Sequence, residues 1–254
     1  MAAAAAASVG IAVKTLFIVL FITMVASFAY LLTIDGLGSC FNLNARWMVA
    51  GVTDFTIKIV VIGAWLVYKE SNLMVPVALI ASAFLLGSVT TCGYIIVQFF
   101  KLSREESSKD PLYFVLVRRH KTDHITVGVS IVTARVIISA LGCLMLGVLI
   151  YTGLADWLPS HPKPFARCIW TFATDLYIHN VILSVWVAYK ESSWISAVSW
   201  VLSILCLGSI AICVYIVWQL YCLSPQQPIS LLIFNNKNRD LQTNDPLLMA
   251  HPNV

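Results

Sequence analysis

Two pairs of ionisable side chains lie within long apolar stretches of the sequence. Asp54 and Lys58 are four residues apart, and Asp175 and His179 repeat that spacing. Residues four apart share one face of a helix, so each acid can pair with its base. The bases differ, because a lysine amine stays charged whereas an imidazole titrates near neutral pH. This chemistry fits a proton relay or a binding site for a substrate.

Ionisable groups inside an apolar helix need a physical reason to be there. A charged side chain near the bilayer centre costs about 2.5–3.5 kcal/mol on insertion scales. We predict that Asp54, Lys58, Asp175 and His179 face the protein interior and bind substrate or relay protons. The alternative is that each pair neutralises itself and locks helices together, since polar groups also bond across helices in membranes.

Three further pairs of residues are candidates for lining a cavity or forming a gate. The two tryptophans lie on the same predicted helices as the acids, the arginines begin those helices, and the glutamines lie in the following ones. For the arginines, the alternative is an anchor whose charged head snorkels to the membrane surface. The pairs are Trp65 with Trp186, Arg46 with Arg167, and Gln98 with Gln219.

Two short motifs occur twice. Tyr-Lys-Glu-Ser stands at 68–71 and at 189–192. Its tyrosine fits an interfacial aromatic belt and its Lys-Glu a solvated loop; the alternative is a tight turn or a gate. Gly-Ser stands at 87–88 and at 208–209. We predict that it permits close helix packing, with the lining of a cavity as the alternative.

The composition indicates a membrane protein. Of 254 residues, 59% are hydrophobic and 11% are charged, whereas soluble globular proteins carry about 25% charged residues. The apolar residues form runs near or above the roughly 20 residues that span a bilayer. We therefore predict an all-α transmembrane protein with six helices, at 10–33, 46–68, 73–101, 129–154, 167–189 and 194–222.

The chain contains an internal repeat. Two stretches align without a gap, ARWMVAGVTDFTIKIVVIGAWLVYKES from Ala45 and ARCIWTFATDLYIHNVILSVWVAYKES from Ala166, at an offset of 166 − 45 = 121 residues. The predicted domains are a three-helix repeat over 1–103, a polar and basic linker over 104–128, a second three-helix repeat over 129–224, and a polar tail over 225–254 that we expect to be disordered.

The two repeats are predicted to have inverted topology. Each holds three helices, and the apolar part of the linker, PLYFVLV, is too short to span. The second repeat must then enter the membrane from the opposite side, a plan common in secondary transporters.

The alanine-rich start resembles a signal peptide, but the first helix has a counterpart in the second repeat, so we predict that it is retained. The distribution of Lys and Arg favours a cytosolic linker with both termini lumenal or extracellular. The sequence does not distinguish the plasma membrane from an endomembrane.

The sequence predicts neither metal nor cofactor. Most of the seven cysteines lie in apolar runs without CxxC or Cys/His spacing, which makes a zinc site or a disulfide framework unexpected. The basic residues are scattered or flank the predicted helices, so nucleic acid is not an expected partner. The expected partners are the lipid bilayer and an unidentified small solute or lipid.

The paired motifs also support a family resemblance. Arg-x6-Thr-Asp and Trp-x2-Tyr-Lys-Glu-Ser, each on the second helix of a three-helix unit, resemble a plant family of multi-pass membrane proteins of similar length, known as a domain of unknown function. The resemblance implies a multi-pass plant membrane protein and supplies no activity or site residues.

Three functions compete. The first is a small inverted-repeat transporter or channel, in which the four ionisable residues bind a solute or couple its movement to protons. The second is an intramembrane enzyme acting on a lipid or isoprenoid, with Asp54 or Asp175 as general acid; the absence of a Ser/His/Asp set or a phosphate loop disfavours most other enzymes. The third is a membrane scaffold or sorting protein.

Overall fold

The structure is helical. The computed structural model describes residues 2–34, 46–103, 106–107, 110–117, 130–156, 167–223 and 232. Within these ranges the regular structure is helical, which confirms the all-α class for the described part of the chain. In chain order the helices are α1 (Ala2–Ile34), α2 (Arg46–Lys69), α3 (Met74–Leu86), α4 (Ser88–Phe100), α5 (Pro111–Leu116), α6 (Ile131–Asp156), α7 (Arg167–Lys190), α8 (Trp194–Leu207) and α9 (Ser209–Tyr221).

Three helical segments are long and apolar enough to cross a membrane: Ser8–Thr33 in α1, the whole of α2, and Ile131–Ala155 in α6. A helix suits lipid because it satisfies its main-chain hydrogen bonds internally. Polar side chains in these helices can do the same: the Thr15 hydroxyl donates to the carbonyl of Ile11, 2.9 Å away. The chain therefore has at least three segments suited to a bilayer.

The segments predicted as single helices at 73–101 and 194–222 are each divided in two. α3 and α4 are separated by Gly87, and α8 and α9 by Gly208. The φ angles of these glycines are 59° and 58°, a region that glycine enters readily and that L residues rarely adopt. One glycine therefore breaks each helix, and in both places a serine follows it directly.

The chain divides into two compact units, Met1–His124 with Cys143–Asn180, and Ile125–Gly142 with Val181–Val254. In the first unit, α1 packs against α4 and α5, and α3 packs against α2 and α4. In the second unit, α8 packs against α9.

A small apolar core in the first unit positions the acid-bearing helices. Phe55, Ile59 and Ala83 are buried together, and Phe172 and Leu176 pack against them. These residues join α2, α3 and the first half of α7. Phe55, Ile59 and Leu176 are each adjacent in the sequence to an ionisable residue, so packing of this core positions those side chains.

The apolar part of the predicted linker forms the short helix α5. The Asp110 carboxylate accepts a hydrogen bond of 3.1 Å from the Tyr113 N–H and so caps its first turn. Most of the predicted linker (104–128) and of the predicted tail (225–254) lies outside the described residues.

Candidate functional site

Both predicted acid–base pairs form. Lys58 makes an ion pair with Asp54, and Nδ1 of His179 lies 3.5 Å from Oδ2 of Asp175. Lys58 and His179 are 0% exposed, Asp54 is 8% exposed and Asp175 is 4% exposed. The i, i+4 spacing accounts for the pairing, and the burial confirms that these side chains face the protein interior.

The contacts of His179 define its neutral tautomer. Nδ1 lies 3.0 Å from the main-chain carbonyl oxygen of Asp175, which can only accept, so Nδ1 carries the proton. Nε2 lies 3.5 Å from the Thr91 hydroxyl, which donates to it while the imidazole is neutral. A proton taken up at Nε2 would reverse the direction of this contact. Both contacts are therefore compatible with either protonation state of the ring.

The two pairs lie together because α2 contacts α7. Nζ of Lys58 donates to the main-chain carbonyl of Leu176, 3.3 Å away, and the ammonium interacts electrostatically with the Asp175 carboxylate. The Phe55 ring meets the His179 ring edge to face, with centroids 5.5 Å apart. The four side chains that the sequence singled out therefore form one cluster, defined here as the acid–base cluster.

The acid–base cluster also contacts the break between α3 and α4. Oδ1 of Asp175 accepts a hydrogen bond from the Ser88 N–H, 2.6 Å away. A Cβ at Gly87 would overlap the Asp175 carboxylate, so glycine is required by the close approach as well as by its φ. The first N–H groups of a helix lack partners within the helix and carry partial positive charge. Asp175 supplies the partner that α4 lacks.

The acid–base cluster is charge-imbalanced while its imidazole is neutral. One Lys and two Asp give a formal charge of +1 − 2 = −1, and protonated His179 brings this to zero. Buried charge is costly unless it is paired, which favours a base beside each buried acid. Among the described residues, no three His, Cys, Asp or Glu side chains form a group that could hold a metal ion.

The predicted gate arginines begin α2 and α7. Arg46 is exposed and donates to the carbonyl of Ala155, 3.0 Å away, in the last turn of α6. This contact ties one end of α2 to α6. The side chain of Arg167 lies outside the described residues.

Trp65 lies far along α2 from the acid–base cluster. It is seven residues beyond Lys58, or about 10 Å at 1.5 Å per residue. Its Nε1 donates to the carbonyl of Leu116 in α5, 3.2 Å away, and its ring meets the Tyr94 ring with centroids 5.7 Å apart. Gln98 is buried on α4.

The remaining candidates belong to the second unit. The Trp186 ring meets the Tyr215 ring edge to face, 5.7 Å between centroids. Nε2 of Gln219 donates to the Glu191 carboxylate, 3.2 Å away. Within their unit, these residues organise the ends of α7 and α9.

The interpretation of Lys-Glu in the repeated motif as a solvated loop is wrong. Lys69 is 7% exposed and Lys190 is 3% exposed. Lys69 donates to the carbonyl of Val117, 3.1 Å away, just after α5, and Glu70 accepts a hydrogen bond from the Tyr94 hydroxyl. The motif thus holds neighbouring backbone in place, and its duplication was the signal that could have indicated this.

Comparison with known families assigns the chain to one of them. The sequence model of the family described as "Protein of unknown function (DUF1475)" matches residues 1–240. The chain belongs to this family. Membership of DUF1475 confirms the resemblance to a domain of unknown function and brings no activity with it. No curated protein and no solved structure matches the chain.

Proposed function

We propose that this DUF1475 protein is a small membrane transporter that couples the movement of an unidentified solute to protons. The observation that carries the proposal is the acid–base cluster, in which four buried ionisable side chains meet at a broken apolar helix. Intramembrane ionisable residues are expensive and typically mark substrate or proton pathways. Asp54, Lys58, Asp175 and His179 are the proposed coupling residues.

The broken helices support a transporter plan. Many secondary transporters bind substrate and coupling ion near the bilayer midplane, where discontinuous helices present half-helix termini. α3 and α4 together cover residues 74–100, about 40 Å of helix at 1.5 Å per residue, so the two pieces in series are long enough to cross. We propose that α8 and α9 also cross the membrane in series. This gives six crossings in all.

The helix bounds favour two inverted repeats. α2 and α7 begin at Arg46 and Arg167, and α4 and α9 begin at Ser88 and Ser209, each pair at the offset 167 − 46 = 209 − 88 = 121. Three crossings per repeat reverse the orientation of the second one. On this proposal the central linker faces the cytosol.

The difference between the two bases supports proton coupling. Lys58 is ion-paired with Asp54, whereas His179 is an imidazole that can gain a proton beside Asp175. Proton binding brings the acid–base cluster from −1 to zero, which lowers the cost of moving it through a low-dielectric region. A proton is therefore the proposed coupling ion.

A purely structural function is the second candidate, because Asp175 caps α4. On that alternative, the acid–base cluster locks the helices together in a membrane scaffold and nothing crosses. The Ser88 N–H contact needs an acceptor oxygen, which asparagine also supplies. Replacing the acid by asparagine therefore separates charge from capping.

The test is uptake by the full chain in proteoliposomes, acidic outside and neutral inside. A mixture of amino acids, sugars, nucleosides and organic acids is supplied outside, and the lumen is analysed by mass spectrometry. We expect proton-driven accumulation of at least one solute by wild type and its loss in Asp54→Asn with Asp175→Asn. Asp110→Asn, at the cap of α5, is the matched control and should leave uptake unchanged.

A further inference from the structure

The second unit contains a small polar cavity at the end of α7, between α8 and α9. Its volume is about 220 Å³, below the roughly 300–1,000 Å³ of pockets for drug-sized ligands. It therefore suits a ligand of a few heavy atoms. The described residues that line it are Lys190, Glu191, Ser192, Ser196, Trp200, Trp218, Gln219 and Cys222.

An oriented carboxylate forms the polar side of this cavity, defined here as the Glu191 cavity. Glu191 accepts hydrogen bonds from the Tyr215 hydroxyl at 2.8 Å, the Ser196 hydroxyl at 2.7 Å and the Gln219 amide at 3.2 Å. These three donors are uncharged, so they fix the position of the carboxylate and leave its negative charge in place.

The neighbouring Lys190 ammonium is already engaged. It donates to the main-chain carbonyl of Leu232 and lies 5.9 Å from the centroid of the Trp186 ring. Lys190 is 3% exposed, so its charged end is directed into the protein and held there. Lys190 also lines the Glu191 cavity, and Glu191 is the acidic residue among the described residues of the lining.

Two tryptophans, Trp200 and Trp218, also line the Glu191 cavity. The Trp200 ring meets the Tyr215 ring with centroids 5.1 Å apart, which holds it beside the carboxylate that Tyr215 orients. Trp218 is 63% exposed, so its ring is open to a ligand. Trp is the aromatic ring that attracts cations best. Indole rings beside a carboxylate favour an organic cation over an anion.

The corresponding positions of the first unit lack these rings. At the 121-residue offset, the carboxylate and its tyrosine are retained as Glu70 and Tyr94, but the positions of the Ser and the two Trp hold aliphatic residues. The substitutions are Val75 for Ser196, Leu79 for Trp200 and Val97 for Trp218. The carboxylate–tyrosine contact is thus common to both places, whereas the aromatic lining belongs to the second alone.

We propose that the Glu191 cavity binds a small organic cation, a quaternary or protonated amine. The cation lies against the indole faces of Trp200 and Trp218 with its charge toward Glu191. Free choline and the headgroup of phosphatidylcholine carry the same chemistry. The site does not depend on the proposed transport, because its residues belong to neither acid–base pair.

The test measures binding of radiolabelled choline to the full chain in nanodiscs of phosphatidylglycerol. We expect saturable binding that unlabelled choline displaces and that its neutral isostere, 3,3-dimethylbutan-1-ol, displaces far less well. Trp200→Leu and Trp218→Val, which copy the first unit, should each weaken binding about tenfold, a large cation–π effect. Trp194→Leu, an 81% exposed tryptophan outside the lining, is the matched control.

A second set of nanodiscs identifies the source of the cation. If the lipid headgroup occupies the cavity, phosphatidylcholine nanodiscs raise the apparent Kd for choline and the two Trp variants remove that competition. If free amines are the ligand, the lipid makes no difference. Equal displacement by the neutral isostere, or unchanged binding in correctly folded Trp200→Leu and Trp218→Val, would overturn the proposal.

Discussion

The Asp175 carboxylate accepts a hydrogen bond from the Ser88 N–H, 2.6 Å away, and thereby caps α4 from a helix distant in sequence. The same carboxylate pairs with His179. One acid thus serves a helix terminus and a titratable base together. A change in the charge of His179 would alter the electrostatic environment of the Asp175 carboxylate and so its hydrogen bond with the Ser88 N–H. Proton binding would thereby affect the break between α3 and α4.

The capping role of Asp175 predicts different effects for two substitutions. Asn and Asp are similarly effective helix caps, whereas Ala at such a position costs about 0.5–2 kcal/mol. We expect Asp175→Asn to unfold close to the wild-type temperature in detergent and Asp175→Ala to unfold several degrees lower. Equal unfolding temperatures for the two variants would show that the Ser88 contact contributes no stability.

The close approach at Gly87 gives a second prediction. Gly87→Ala places a Cβ on the Asp175 carboxylate and at a φ of 59°, so we expect it to lower the free energy of unfolding by about 1–3 kcal/mol. Gly147→Ala, where a Cβ meets nothing within 4 Å, should be neutral or stabilise by up to about 1 kcal/mol. Asp175→Ala should relieve part of the Gly87→Ala defect, so the double variant is less destabilised than the sum.

A third prediction concerns α5. Lys69 donates to the carbonyls of Val115 and Val117, and hydrogen bonds to charged groups contribute about 1.5–3 kcal/mol. We expect Lys69→Met to raise hydrogen exchange in residues 110–117 about tenfold or more. Lys101→Met, at an exposed lysine after α4, is the control. Unaltered protection of 110–117 in Lys69→Met would rule out this anchoring role.

A fourth prediction addresses the choice of base. His179→Gln removes the titratable ring and keeps a side chain that can donate and accept hydrogen bonds. We expect solute uptake by wild type to rise as the external pH falls and uptake by His179→Gln to be flat over the same range. A pH profile that keeps the wild-type shape in this variant would exclude His179 as the titrating group.

The sequence was informative where local spacing decides the outcome. The bounds of α2 and α7, and the pairing of Asp54 with Lys58, follow from apolar run length and from the i, i+4 geometry. The break at Gly87 was not predictable, because a glycine within an apolar run leaves the hydropathy unchanged. Its φ is tied to the approach of Asp175, a contact between residues 87 positions apart.

The role of Lys69 was hidden for a related reason. Its partners are main-chain carbonyls in α5 and just after it. Every residue has such a carbonyl, so no side-chain pattern reveals which ones lie nearby. A Lys-Glu at the end of an apolar run is typical of a solvated loop. The burial of this lysine becomes visible only in the structure, where α5 lies against it.

The most direct test of proton coupling compares uptake and folding in the same asparagine variants. Asp54→Asn with Asp175→Asn keeps an oxygen for the Ser88 N–H and removes both negative charges of the acid–base cluster. Proton-driven uptake into proteoliposomes is measured beside the unfolding temperature of the same preparation. The account predicts a folded protein that no longer accumulates solute; its unfolding temperature should be lower than that of wild type, because the buried Lys58 ammonium loses its partner carboxylate. A folded double variant with wild-type uptake, or a wild type that accumulates no solute under a proton gradient, would contradict it.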